Sequence, residues 1–160
     1  DCLATTVIHQ KRFSKEKFKT FHPGGNIGRS LLLAKDIMIK GDLMPTVNYK
    51  KKLYEALKIM SQKKLGVIII LKNKYISGIV TDGDLRRELK NYERDKSLKK
   101  FMTNNPFVVN ENMTASRALA IMNEKKITSL LVVSDKDMRK KKRILRGIIH
   151  IHTLLKNEIK

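Results

Sequence analysis

The chain has 160 residues, enough for one compact domain or for two half-sized units sharing a core, and its 41% hydrophobic content excludes wholesale disorder. Thirty-five Lys and Arg against 15 Asp and Glu give a formal charge of +20, which brings nucleic acid, anionic membrane and anionic metabolites into view as partners. The longest apolar run, residues 65–71, falls far short of the roughly 18 residues a membrane helix needs, so no membrane span is expected.

Residues 1–21 read as two helical pieces, with Leu3, Val7 and Ile8 as a buried stripe in the first and Ser14 as N-cap of the second. No secretory signal is visible from Asp1 onward, and the single cysteine, Cys2, has no internal disulfide partner, which fits a reducing cytoplasm. A first residue other than Met is also what a piece of a longer polypeptide would show. The loop His22-Pro23-Gly24-Gly25-Asn26-Ile27-Gly28-Arg29 is too rich in Pro and Gly for regular structure. Such loops can cradle phosphate, but this one has no Walker pattern. Leu31 to Met38 then leads into a packed core.

From there the sequence repeats. Leu53, Ala56, Leu57 and Met60 are spaced as the buried stripe of an amphipathic helix, and the same stripe recurs 62 residues later as Ala115, Ala118, Leu119 and Met122. Flanking features move with it: Pro45-Thr46-Val47 answers to Pro106-Phe107-Val108, Lys63-Lys64-Leu65 to Lys125-Lys126-Ile127, and Ile37-Met38 to Phe101-Met102. Each helix is followed by an apolar strand, Val67 to Leu71 and Ser129 to Val133, and then by a second, Tyr75 to Val80 and Ile144 to Ile149. Gly78 and Gly147 correspond at an offset of 69, so the second hairpin is seven residues longer, and the polar, basic stretch Asp135 to Arg143 is expected to be a mobile loop. Each unit reads strand, helix, strand, strand, helix. Its apolar sheet face needs a partner, and the two copies can cover each other in one pseudo-twofold α/β domain.

The stretch Gly78-Ile79-Val80-Thr81-Asp82-Gly83-Asp84-Leu85-Arg86-Arg87 reads as a strand end, a turn and the first turn of a helix. Such a junction gathers free backbone N–H groups at one point and favours an anion. Thr81, Asp82 and Asp84 can either cap the helix or meet a ligand there. Aligned on the glycines, the second copy has His150 for Thr81 and Thr153 for Asp84. His150 and His152 have no nearby cysteine or carboxylate, so no metal is expected.

These residues resemble a tandem CBS-domain pair: two β-α-β-β-α repeats, each with an Ile/Phe-Met opening, a Pro-x-Val segment, an Ala-Leu-x-Ile-Met helix and a Gly-Ile strand end. Residues 78–87 and 22–29, with Lys63-Lys64-Leu65-Gly66, are similar to the C-terminal CBS pair and its junction in bacterial D-arabinose-5-phosphate isomerases, enzymes of lipopolysaccharide sugar (Kdo) synthesis. The resemblance implies three parts: a remnant of a SIS sugar-isomerase domain with the junction loop at 1–33, repeat 1 at 34–94 and repeat 2 at 95–160. It implies that His22 occupies the place of a proton-transfer histidine, with Phe21 where that family has Ser, and that most of the active site lies outside this sequence. It further implies a nucleotide in the cleft between repeats. Asp84 would accept from both ribose hydroxyls, Thr81 and the helix N–H groups would face a phosphate, Asp82 would line the nucleotide site, and Arg86 and Arg87 would add charge. With no carboxylate at Thr153, at most one good site is expected.

The leading reading is therefore a regulatory and oligomerising module, sensing an adenine nucleotide or CMP-sugar and partnered by a SIS catalytic domain, with no required cofactor. Two alternatives stay open: part of an active isomerase, or a basic nucleic-acid-binding protein. The last is disfavoured because aromatics are 6% and Trp is absent. Lys50-Lys51-Lys52 and Lys140-Lys141-Lys142-Arg143 then read as solvated turns.

Overall fold

The computed structural model describes residues 31–87 and 97–159. The two helices expected within residues 1–21 and the glycine loop with His22 lie outside them.

A single turn of helix, α1 (Ala34–Ile37), sinks Ala34 and Ile37 into the core. The first repeat then runs β1 (Thr46–Asn48), α2 (Leu53–Lys63), β2 (Val67–Lys72), β3 (Tyr75–Thr81) and α3 (Asp82–Arg87). A short strand, β4 (Thr103–Asn104), leads into the second, which is β5 (Val108–Asn110), α4 (Ala115–Lys125), β6 (Ser129–Val133), α5 (Asp135–Met138), β7 (Gly147–His150) and α6 (Ile151–Lys156). The strand-helix-strand-strand-helix order appears twice, as the periodicity requires.

The matched helices form for matched reasons. Leu53, Ala56 and Met60 are buried on α2, as are Ala115, Ala118 and Met122 on α4, while Leu57 and Leu119 are partly buried at the stripe's edge. At the start of α2 the Glu55 carboxylate accepts from the Lys52 N–H at 3.0 Å, and at the start of α4 the Thr114 hydroxyl accepts from the Arg117 N–H at 3.4 Å. Both helices end on a lysine in the left-handed conformation, Lys64 at φ 55° and Lys126 at φ 53°.

In each repeat a parallel pair joined through the helix (β1 with β2, β5 with β6) is followed by an antiparallel hairpin (β2 with β3, β6 with β7). Alternation along β2 sends Ile68 and Ile70 toward α2 and Val67 and Ile69 toward the other repeat. Leu130 and Val132 of β6 likewise face α4, and Leu131 faces β2. Both strands are buried on both faces, which explains their unbroken apolar runs. Each fully buried Ile or Leu there contributes about 1.5–3 kcal/mol.

The two lead-in segments are exchanged. β4, at the start of repeat 2, pairs with β3 of repeat 1 (Gly78 with Asn104, Ile79 with Thr103). Ile39, at the start of repeat 1, bridges Ile148 on β7 of repeat 2. The recurrence of Gly78 as Gly147 and of Met38 as Met102 now has a cause, because these residues meet crosswise. A Cβ on Gly78 would lie 2.3 Å from Met102 Cγ, and one on Gly147 would lie 2.5 Å from Met38 Sδ.

The second hairpin departs from expectation. The stretch read as a mobile loop begins with the helical turn α5, in which Asp137 is only 5% exposed. The Ser134 hydroxyl donates to Asp137 Oδ2 at 3.0 Å and Lys140 Nζ donates to Oδ1 at 2.9 Å. That internal carboxylate organises a segment with no apolar stripe of its own. The following strand starts at Gly147 rather than Ile144, which makes an isolated bridge to Tyr75.

Candidate ligand-binding cleft

The strand-to-helix junctions of the two repeats open into one cleft of about 690 Å³. Both are built alike at the backbone: the Asp82 N–H donates to the Gly66 carbonyl at 3.0 Å, and the Ile151 N–H donates to the Thr128 carbonyl at 2.9 Å. Gly66 has φ +61°, and a Cβ there would sit 2.6 Å from Asp82 Oδ2, so conformation and space both require glycine.

At the first junction Thr81 and Asp84 cap α3 reciprocally. The Thr81 N–H and hydroxyl each donate to Asp84 Oδ2 at 2.8 Å, and the Asp84 N–H donates to Thr81 Oγ1 at 3.3 Å. Arg87 Nη2 donates to Asp84 Oδ1. The Asp84 side chain is 11% exposed and that of Arg87 is 71% exposed, so the carboxylate is set inside and its counter-charge reaches over from solvent. Oδ1 keeps accepting capacity on this side.

At the second junction His150 does the capping with its ring. Nδ1 accepts from the His152 N–H at 3.3 Å, which requires that nitrogen to be unprotonated. Burial, and then the neighbouring His152, holds the His150 pKa below the ordinary histidine value. The two rings meet edge to face, with centroids 4.7 Å apart. Among the described residues no group of three or more His, Cys, Asp or Glu could hold a metal ion.

Thr81, Asp82, Asp84, Arg86 and Arg87 all line this cleft, so the residues singled out in repeat 1 are brought together. His22 lies outside the described residues. Among the described residues of the lining, Lys64, Lys126, Arg86 and Arg87 stand against two carboxylates, Asp82 and Asp84, and the balance favours an anion. Other cleft residues carry weaker signals in the sequence. Lys64 and Lys126 are matched flanks of the repeat. Phe107, which is 50% exposed, stands where repeat 1 has Thr46, and that mismatch was the available signal.

The CBS domain family matches residues 34–91 and 98–160. The chain belongs to that family and carries the domain twice, as a tandem pair. It is 38% identical over 160 residues to the arabinose 5-phosphate isomerase KdsD of Escherichia coli, covering 98% of this chain and 47% of the relative. It is 40% identical over 152 residues to an uncharacterised protein of Rickettsia prowazekii, covering 94% and 46%. The chain thus spans about half the length of these curated relatives. The crystal structure of CBSX2 in complex with AMP shares the fold at a TM-score of 0.65 and 19% identity, over 79% of this chain and 96% of that one. The α/β architecture and the likeness to arabinose-5-phosphate isomerases, both legible in the residues, stand. Among the described residues no helix is long and apolar enough to cross a membrane.

Proposed function

We propose that this chain is the regulatory CBS pair of an arabinose-5-phosphate isomerase and binds one anionic nucleotide in the cleft between its repeats. The observation that carries the reading is the Thr81–Asp84 pair, fixed in the wall of a cleft whose charged lining residues are mostly cationic. An adenine nucleotide is favoured over a CMP-sugar because a related fold holds AMP. Asp84 Oδ1 accepts a ribose hydroxyl once Arg87 turns to the phosphate. Arg86 adds charge beside that phosphate, Asp82 lines the cleft, and the exposed ring of Phe107 offers the base a face. The ligand state passes to a SIS catalytic domain through residues 1–33, with repeat 1 at 34–94 and repeat 2 at 95–160 and with CBS pairs assembling as a homo-oligomer. In that whole protein His22 shuttles a proton during the aldose–ketose step.

Thermal melting with AMP, ADP, ATP and a CMP-sugar tests the binding. A ligand at 100 times its dissociation constant adds about 2.7 kcal/mol, equivalent to about 5–10 °C for a chain of this size. No shift with any of the four, or an undiminished shift in Asp84→Ala, overturns the reading.

A second reading, favoured by the half-length overlap with the isomerases, makes this sequence part of an active enzyme. The reading frame upstream of Asp1 decides it: an in-frame SIS domain supports it and a stop codon removes it.

A further inference from the structure

The β2–β3 hairpin has the cleft at one end and a concentration of positive charge at the other, about 20 Å away along six residues of strand. Backbone contacts gather that charge from four separate segments. The Tyr49 N–H donates to the Leu71 carbonyl at 2.9 Å, which sets the turn carrying Lys50 beside Lys72. Lys52 bridges Ser97 and so brings Lys99 alongside, while Tyr75 bridges Ile144 and brings up Lys142 and Arg143. The Ile76 N–H fastens that last segment by donating to the Arg143 carbonyl at 2.9 Å. At the hairpin tip Lys74 keeps a left-handed φ of 70°, a position where such turns favour glycine.

These cations are held in place. Lys72 Nζ and Lys99 Nζ lie 5.1 and 5.3 Å from the centroid of the same Tyr49 ring, and Lys142 Nζ lies 5.9 Å from that of Tyr75. The first two ammonium groups are therefore at most 10.4 Å apart, about one Debye length at 0.1 M salt, so they repel each other unless an anion comes between them. Among the described residues the nearby carboxylates Glu55 and Asp137 are already engaged by Lys51 and Lys140.

We infer that this end of the molecule, framed by Lys72, Lys99 and Lys142, binds the backbone phosphates of nucleic acid without reading sequence. Tyr49 is half-buried and engaged by two ammonium groups, so it serves as a mount for cations rather than a platform for bases. An anionic bilayer would also draw the charge, but faces that enter a membrane interface present Trp, Phe or Leu to it. Among the described residues the exposed large apolar side chains at this end are Tyr54, Tyr75 and Ile144, and the last two pair with each other across a β-bridge. The inference is independent of nucleotide binding in the cleft.

The test is fluorescence anisotropy of a labelled random-sequence duplex of about 20 base pairs with the full chain, from about 50 to 300 mM salt. Log affinity falls linearly with log salt, and each phosphate-contacting lysine removed lowers the slope by about 0.9. The triple variant Lys72→Gln/Lys99→Gln/Lys142→Gln therefore loses two to three units of slope, by about 0.9 each. The control Lys58→Gln/Lys125→Gln/Lys156→Gln, which removes the same charge from exposed helix faces, keeps the parent slope to within about one unit. Lys142→Gln alone, which leaves Tyr49 untouched, lowers the slope by about one unit and serves if the triple variant fails to fold. Equal losses in the two triple variants would mean that net charge alone sets the affinity. That result, no saturable binding at the lowest salt, or tighter binding to phosphatidylglycerol vesicles than to duplex at matched phosphate, overturns the proposal.

Discussion

The crosswise packing of Met102 on Gly78 makes a demand that one methyl group can test. The Cβ of Gly78→Ala would stand 2.3 Å from Met102 Cγ, 2.6 Å from Met102 Sδ and 2.6 Å from the Thr103 carbonyl oxygen. A methionine side chain can swing aside. The carbonyl cannot, because it belongs to β4, whose Asn104 and Thr103 pair with Gly78 and Ile79. Forcing one carbon into a packed interior costs about 1–3 kcal/mol. Repacking Met102 and loosening β4 act together here, so the cost lies near the upper end, about 3 kcal/mol. At about 2–4 °C per kcal/mol for a chain of this size, Tm falls by about 6–12 °C. Urea melts should show a lower midpoint with an unchanged m value. Met102→Ala in the same background removes two of the three clashes and leaves the carbonyl, so the double variant recovers part of the loss, with a coupling above about 0.5 kcal/mol. A Gly78→Ala protein within about 0.5 kcal/mol of the parent, or one showing no coupling to Met102, refutes the reasoning.

At the matching site Gly147→Ala meets Met38 Sδ at 2.5 Å and the Ile39 carbonyl at 2.9 Å, so urea melts should place it in the same direction with a smaller loss. His150 titrates below the ordinary value of 6.5 in the folded chain because it is buried, so the unfolded chain takes up the proton first as pH falls. Stability is then complete above about pH 6.5 and declines below it. His150→Gln should flatten the pH 5 to 7 limb of the Tm profile, and an unchanged limb would rule His150 out as its source. Asp137 is held below the usual carboxylate range by its bond from Lys140, so its contribution persists above the unfolded value of 3.8 and is lost as pH falls through the folded one. Asp137→Ala should release α5 and speed tryptic cleavage at residues 139–143 while cleavage elsewhere keeps the parent rate; an unchanged rate at 139–143 would contradict the anchoring role.

The repeat was legible because helix stripes and buried strands leave periodic marks that survive substitution. Leu53 and Ala115 differ, yet both sit in the same place on an amphipathic face. Correspondence is not contact, however. Matching Gly78 to Gly147 and Met38 to Met102 gave no sign that each methionine covers the other repeat's glycine, because self-similarity says which positions are equivalent and not which ones touch. The turn α5 was misread for a different reason: Asp135-Lys136-Asp137-Met138 looks like solvated loop, and only the burial of Asp137 among Ser134 and Lys140 makes it ordered. At the cleft, Thr81 and Asp84 were visible as a cap or a ligand pair, and the structure has them capping. The ion pair from Arg87 and the presence of Phe107 were not visible, since both depend on where the chain returns in space.

The exchanged lead-in segments bear on how such a protein could arise. Each repeat carries a short lead-in that pairs with the other's sheet, a strand in one case and a single bridge in the other, and a methionine that fills the other's glycine notch. A half-length ancestor holding one lead-in and one repeat would contain both sides of that exchange. Two copies of it would clasp as a domain-swapped homodimer with the same contacts, and tandem duplication would turn the dimer into a single chain without inventing a new interface. Once fused, the two junctions no longer had to stay identical. The junctions do differ, with Thr81 and Asp84 in one and His150 and Thr153 in the other.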